Sequence, residues 1–587
     1  MKYRFNYLIC TTFLLFVAAV FIQESKAQRV EDIFKAAGTP SSPKVTVSWN
    51  RYNTYDGISS ICDQLVKAYP NLISKKSIGK SYEGRDIWVL EITDSKTLAA
   101  QDKPGFYIDG NIHSNEIQGS EISLYTAWYL VESFNENAFI NTLLKEKVFY
   151  IVPTINPDAR DNFMKAPNTA NTPRSGMIPF DDDRDGLEDE DGLDDVNGDG
   201  HVTYMRRKNP NGRYKIDPEN PKWLIRADPD EAGQYEFLGT EGFDNDGDGM
   251  VNEDRVGGYY DPNRDWGWDW QPDYIQFGAL KYPFSVPENR AVAEFVMAHP
   301  NIAGAQSYHN SGGMILRGPG SASDEASFHD TDKPVYDAIG KLGAKIIPGY
   351  EYMVLFADLY PAFGGELSWF HGGRGIFTFT NELFTSKYLF NKDYKNYNER
   401  MKDAFDFDKY LLFEDSYVEW TPYDHPIYGE IEVGGFKRNY SRANPGFLLE
   451  SDAHRNMAFT IFHAYHTPKL VVEEVKEKDL GKGLKEITVT IANKRMIPTH
   501  SGNDVQNKIN PPDYIGIEGA EVIAGMIVLD EDLKMTKEQK FNPEQIEVQN
   551  IPGMGVVTVR WIISGEKDFS INVDSQKGGK LTWSKKS

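Results

Sequence analysis

Large apolar residues recur along the first part of the chain with two different periods. In "GISSICDQLVKAYP" (57–70) and "GSEISLYTAWYLVESF" (119–134) they fall three and four positions apart, the spacing of one helix face. In "DIWVLEIT", "GFYIDG" and "KVFYIVPTIN" they form short runs rich in β-branched and aromatic residues. Alternation of the two patterns predicts an α/β unit, a mixed central sheet flanked by helices, over residues 48–466. An acidic stretch, 174–258, interrupts it. After His466 the pattern changes again: "KEITVTIAN", "EVIAGMIVL", "GVVTVRWIIS" and "DFSINVD" are β-type runs separated by turn residues, which predicts a β-sandwich over 467–587.

The N-terminus bounds the setting. Lys2 and Arg4 precede an apolar core that ends at Ser25 and Ala27, the layout of a secretory signal over residues 1–27. The expected location is therefore outside the cytoplasm: periplasm, cell surface or medium, with no membrane span left after cleavage. Cleavage removes Cys10 and leaves Cys62 as the sole cysteine, so no internal disulfide forms. Cys62 lies on the apolar face of a helix, the place of a buried, inert thiol. A formal charge of −24 and a pI near 5.0 argue against nucleic acid and anionic membranes as partners.

Candidate chemistry begins in "GNIHSNEIQGSE", where His113 and Glu116 stand three residues apart after an apolar run. Taken by itself, Glu116 is equally an acid in the first turn of a helix, favoured there by the macrodipole. A catalytic zinc takes three ligands and keeps one position open. His309, ending the strand-like "GAQSYH", is a candidate third ligand, and Glu382, ending "GIFTFTNE", is an acid at a strand end.

The order of these pieces resembles the zinc metallocarboxypeptidases, the family of carboxypeptidase A. "HSNE", "INPDA", "RRKNP", "DPNRDW", "SYHNSGG", "LYPAFGGELSW" and "FTNEL" follow in the family's order, between about Tyr52 and Tyr465. The resemblance implies that His113, Glu116 and His309 hold zinc and that Glu382 is the general base acting on the attacking water. It further implies that Asp261 orients a ligand imidazole and that Arg207 polarises the scissile carbonyl. Asn263 and Arg264 would grip the substrate's terminal carboxylate, Tyr360 would close over it, and Leu367 would sit at the base of the side-chain pocket. Two departures stand out. Asn115 occupies a place where digestive members often carry an arginine, and the stretch from Glu116 to His309 is longer than theirs.

The acidic stretch has its own spacing. Asp181, Asp183 and Asp185 precede Gly186; Asp195, Asn197 and Asp199 precede Gly200; Asp244, Asp246 and Asp248 precede Gly249. Alternate oxygen ligands before a turn glycine form the front half of a calcium loop. The twelfth positions are Gly192, Arg206 and Arg255, so the closing glutamate of an EF-hand is missing. Glu190, Asp191, Glu253 and Asp254 stand close enough in sequence to complete compact calcium turns instead.

The expected function is an exported zinc carboxypeptidase acting on peptides or proteins with a free C-terminus, with zinc and calcium as bound metals. Leu367 points to apolar or aromatic terminal residues. A cell-wall peptide amide hydrolase shares the same machinery, and an inactive peptide-binding surface protein is the alternative from another class. No feature of the C-terminal domain points to a partner.

Overall fold

The computed structural model describes residues 37–165, 168–169, 174–255, 258–385, 390, 392, 397–437, 443–565 and 568–584; the export signal expected at 1–27 lies outside them. One mixed sheet organises the first unit. Its eight strands run in the order Ile73–Lys80, Asp86–Ile92, Val148–Val152, Gly105–Gly110, Ile302–Asn310, Phe377–Leu383, Met314–Arg317, Glu351–Val354. The four strands from Val148–Val152 to Phe377–Leu383 are mutually parallel. Three of them, Gly105–Gly110, Val148–Val152 and Ile302–Asn310, are buried at every position. Both faces are covered, which is why these segments read as apolar runs without polar alternation.

One cover contains the helix Tyr55–Ala68, the wholly buried helix Gln118–Ser133 and the helix Gly446–Tyr465. The other gathers Trp266, Val292, Val296, Trp369 and Phe370. Cys62 is buried in the first, and burial pushes its thiol up to about 12, consistent with an inert group.

The helix Gln118–Ser133 approaches the sheet unusually closely at two glycines. A Cβ on Gly110 would lie 2.6 Å from the carbonyl carbon of Gly119, and one on Gly119 would lie 3.0 Å from Cβ of Tyr308. Since His113 and Glu116 lie between these glycines, the contact fixes their loop against the neighbouring strand.

The C-terminal unit is a β-sandwich. A five-stranded sheet (Leu470–Gly481, Leu484–Asn493, Val556–Ser564, Glu521–Asp530, Met535–Gln539) faces a four-stranded one (Gln545–Val548, Asp513–Glu518, Ser570–Ser575, Gly579–Ser584), and Ile487, Val489, Ile515, Val559, Trp561 and Ile571 pack between them. The sequence pattern did not anticipate that the acidic insert builds a sheet of its own. Tyr204–Lys208 pairs with Tyr235–Thr240 on one side and with Gly429–Phe436 on the other, so a hairpin from much later in the chain completes the insert. Among the described residues no helix is long and apolar enough to cross a membrane.

The sandwich docks through two buried lysines, and a third buried basic side chain, His500, lies within it. Lys147 donates to the carbonyls of Thr467 (2.8 Å) and Pro468 (2.7 Å), and Lys577 to those of Arg374 (2.9 Å) and Gly375 (2.7 Å). His500 sits between Asp504 (3.0 Å) and Asp513 (3.2 Å); burial opposes its charge, but the two carboxylates raise its pKa to about 9.

Two expectations follow. Gly110→Ala forces backbone apart, a disturbance of the overpacking class worth about 1–3 kcal/mol. Denaturation should show that loss together with weakened zinc retention, and a variant matching wild type in both would contradict the close contact. For His500, the folded pKa lies above the ordinary ~6.5, so its contribution is complete below about pH 6.5 and disappears as pH rises through about 9. The thermal midpoint should fall over that range by several degrees more in wild type than in His500→Asn.

Candidate metal centre and substrate cleft

The register of three adjacent parallel strands assembles the site. Tyr308 pairs with Gly110 on one side and Asn381 on the other, and His309 lies directly opposite Glu382. The loop carrying His113 and Glu116 follows Gly110. All four side chains therefore emerge at the carboxyl ends of neighbouring strands, where open α/β sheets place their ligand sites.

His113, Glu116 and His309 converge and are almost fully buried. Nδ1 of His113 lies 3.0 Å from Oε2 of Glu116, Nδ1 of His309 lies 2.9 Å from that oxygen, and the two Nδ1 atoms are 3.2 Å apart. Nε2 of His113 meets Oδ1 of Asp261 at 2.8 Å, so in the neutral imidazole it carries the proton and Nδ1 presents a lone pair to the carboxylate. Converging lone pairs repel unless a cation lies between them. Two ligands of a tetrahedral zinc with bonds of ~2.1 Å stand about 3.3 Å apart, close to the separations here. The residues present fit zinc.

Arginines balance the acids. Arg174 donates from Nη1 to Oε1 of Glu116 (2.9 Å) and from Nε to Oδ2 of Asp261 (3.0 Å), and Nη2 of Arg264 lies 3.7 Å from the same Oδ2. Burial alone would raise the Asp261 carboxyl, but Arg174, Arg264 and His113 hold it well below the usual carboxylate range. Glu116 is likewise held low, by the two imidazoles acting against burial. Beneath the loop, the buried Arg160 pairs with Glu121 at 2.7 Å and donates to Asn111 Oδ1, while Asn111 donates to the His113 carbonyl at 2.7 Å.

A cleft opens beside His309. It is lined by Arg174, Asn263, Arg264, Tyr360 and Glu382 on its polar side and by Leu316, Leu355, Ala362 and Leu367 on its apolar side. Asp261 caps the short helical turn Pro262–Arg264, accepting from the Asn263 amide at 2.8 Å, which sets Asn263 and Arg264 toward the cleft. Oδ1 of Asn263 accepts from the Glu366 amide at 2.8 Å, and Leu367, next in the chain, is buried. Tyr360 is 47% exposed at the mouth.

Arg207 is the exception among the residues the motifs singled out. It lies on the insert's strand Tyr204–Lys208, where Nη2 pairs with Glu236 at 2.8 Å with both side chains about two-fifths exposed, and it is not among the residues lining the cleft. Strand pairing with Tyr235–Thr240 directs it outward. Beside Arg264, the cleft holds the guanidinium of Arg174, a residue in none of the family motifs. Arg174 lies in "NTPRSG", a stretch of sequence with no periodicity and no family signature, and only the tertiary structure brings its side chain to Glu116 and Asp261.

The acidic turns lie apart from the cleft. Ligand oxygens of Asp181, Asp183 and Asp254 approach within 4.8 Å of one another, as do those of Asp183, Asp185 and Glu190, and those of Asp244, Asp246 and Asp248. In the middle turn, Asp195 accepts from the amides of Asp199 (3.0 Å) and Gly200 (2.7 Å), and Asn197 accepts from Asp199 (3.0 Å).

Comparison with known proteins gives the following. A family model described as zinc carboxypeptidase matches residues 58–186 and 190–405, more than half of the chain. A second model, described as a domain of unknown function, matches 469–586. The chain is similar to carboxypeptidase B of Astacus astacus, 26% identical over 347 residues that cover 57% of this chain and 88% of that protein. It is also similar to carboxypeptidase D of Rattus norvegicus, 30% identical over 135 residues, 23% of this chain and 10% of that one. Among solved structures, it is similar to the carboxypeptidase A from Helicoverpa armigera with a TM-score of 0.43 at 16% identity, over 73% of this chain and 76% of that chain.

Metal analysis tests the centre. Purified wild type should hold one zinc per chain at this site and His309→Ala should lose it; equal zinc in both would remove His309 from the ligand set.

Proposed function

The chain belongs to the zinc carboxypeptidase family and is a zinc metallocarboxypeptidase, and from that premise we propose that it removes single apolar residues from the free C-termini of peptides outside the cytoplasm. The observation carrying this reading is that one cleft joins a metal ligand, His309, to a carboxylate, Glu382, a guanidinium, Arg264, and a wall of aliphatic side chains.

Zinc at His113, Glu116 and His309 would supply Lewis acidity and lower the pKa of water. The remaining roles fall to the chain. Glu382 takes the proton of the attacking water and delivers it to the departing amine, as a positioned acid/base group does. Arg174 faces the same cleft and stabilises negative charge developing on the scissile carbonyl oxygen, the task of an oxyanion-hole donor. Asn263 and Arg264 receive the terminal carboxylate, for which a planar guanidinium offers two parallel donors. Tyr360 stands at the mouth as a cover. Leu367, Leu316, Leu355 and Ala362 receive the departing side chain and disfavour a charged one. Lys2, Arg4 and the apolar run before Ala27 support export. The repeated aspartate turns support calcium as the insert's metal.

Substitutions separate these roles. Glu382→Gln should keep its zinc and lose about 10²–10⁴-fold in activity. Arg174→Ala should lose about 10²–10³-fold in kcat, whereas Arg207→Ala should stay near wild type; the reverse ranking would return the electrostatic role to Arg207. Free-acid peptides should be trimmed at least about tenfold better than their amides, because an amide leaves Arg264 without its partner. Arg264→Ala should erase that difference. Equal cleavage of both peptide forms by wild type would defeat the exopeptidase reading.

A further inference from the structure

We propose that the insert holds a calcium ion in a site that no single turn provides, with Asp181 and Asp183 from the first turn and Asp254 from beyond the third. One ion then ties the two ends of the insert together. This deepens the calcium reading above and does not depend on the peptidase chemistry.

The first and third turns are copies of one another. In the first, Asp181 accepts from the amides of Arg184 (2.6 Å) and Gly186 (3.2 Å), Asp183 from Asp185 (2.9 Å), and Asp185 from Leu187 (2.7 Å). In the third, Asp244 accepts from Gly247 (2.6 Å) and Gly249 (3.1 Å), Asp246 from Asp248 (3.0 Å), and Asp248 from Met250 (2.7 Å). The turns are joined by an antiparallel bridge between Asp191 and Asp254, with the Asp191 amide donating to the Asp254 carbonyl at 2.8 Å.

The two bridge residues then differ. Asp191 is fully buried, and its carboxylate accepts from the amides of Asn245 (3.1 Å) and Asn252 (2.8 Å) in the opposite turn. Asp254 is equally buried, yet neither of its carboxylate oxygens has a hydrogen-bond partner. A buried carboxylate without a donor is costly, and a bound cation would satisfy it. It is also the acid that approaches Asp181 and Asp183, with ligand oxygens within 4.8 Å of one another. Oxygens bound to one calcium at ~2.4 Å lie no more than about 5 Å apart. Asp183 also groups with Asp185 and Glu190 in a neighbouring cluster. Burial pushes the Asp254 carboxyl up.

The site lies on the path to the metal centre. Asp182, between two of the ligands, accepts from the Tyr259 amide at 2.8 Å. The next residue, Tyr260, receives the Ile178 amide on its hydroxyl at 3.1 Å, and Asp261 follows, bonded to His113. An ion that fixes the first turn against Asp254 therefore also holds the segment that orients a zinc ligand.

Calorimetric titration of the full-length zinc protein with calcium chloride, in calcium-free buffer, tests the crossing. Asp183→Asn and Asp254→Asn should abolish the same ion, so the double variant binds calcium as either single variant does. Asp246→Asn should remove a different ion, additively with Asp254→Asn. If Asp254→Asn instead adds to Asp183→Asn and overlaps with Asp246→Asn, each turn is self-contained and the crossed site is wrong while calcium binding survives. No uptake by wild type at millimolar calcium overturns both. Hydrogen exchange guards against misfolding of Asp254→Asn, because Asp183→Asn alone should abolish calcium-dependent protection of the amides at Asn252–Arg255. Protection retained there in Asp183→Asn overturns the proposal.

Discussion

Three lone-pair donors, Nδ1 of His113, Oε2 of Glu116 and Nδ1 of His309, face one another at 2.9–3.2 Å inside a buried pocket. Such an arrangement repels itself without a cation, and much of the surrounding structure serves to hold it in place. Asp261 fixes the proton of His113 on the far ring nitrogen. Arg174 bridges Glu116 and Asp261 and prevents two buried acids from facing each other uncompensated. The wholly buried Arg160–Glu121 pair, through Asn111, pins the backbone of the ligand loop. Breaking such a pair costs about 3–5 kcal/mol, which makes the loop stiff before any metal arrives.

The sheet supplies the distances. In parallel pairing a shift of one residue turns a side chain to the opposite face. His309 opposite Glu382 and Tyr308 opposite Gly110 are thus the register that puts ligand and base on one side of the same edge. Gly110 and Gly119 let the helix Gln118–Ser133 settle onto that edge, so the loop between them has little room to drift.

Charge is arranged locally within a strongly acidic chain. At the cleft two arginines offset the acids. In the insert few cations face many carboxylates, and burial, not neighbouring charge, is the leading cause that raises Asp182, Asp189 and Asp254. At the sandwich junction Lys147 and Lys577 meet backbone carbonyls of the opposite unit, and within the sandwich His500 meets two carboxylates. At the cleft and at the junction, polar groups removed from water find an arginine or a lysine as the counterpart.

The sequence by itself determined what depends on local pattern. Helices at 55–68 and 118–133, the apolar central strands and the switch to a sandwich were legible because period and turn chemistry are properties of neighbours. His113, Glu116, His309, Glu382, Asn263 and Arg264 were legible because each sits in a short motif at a strand end or turn. Arg207 was read by the same logic, and its motif is intact, but strand pairing inside the insert sets it beside Glu236 and not among the residues lining the cleft. Arg174, the hairpin 417–436 and the meeting of Asp254 with Asp181 and Asp183 carry no local signature. Each joins residues distant in sequence through sheet pairing or charge, and only the tertiary structure decides which of many acids and arginines end up face to face.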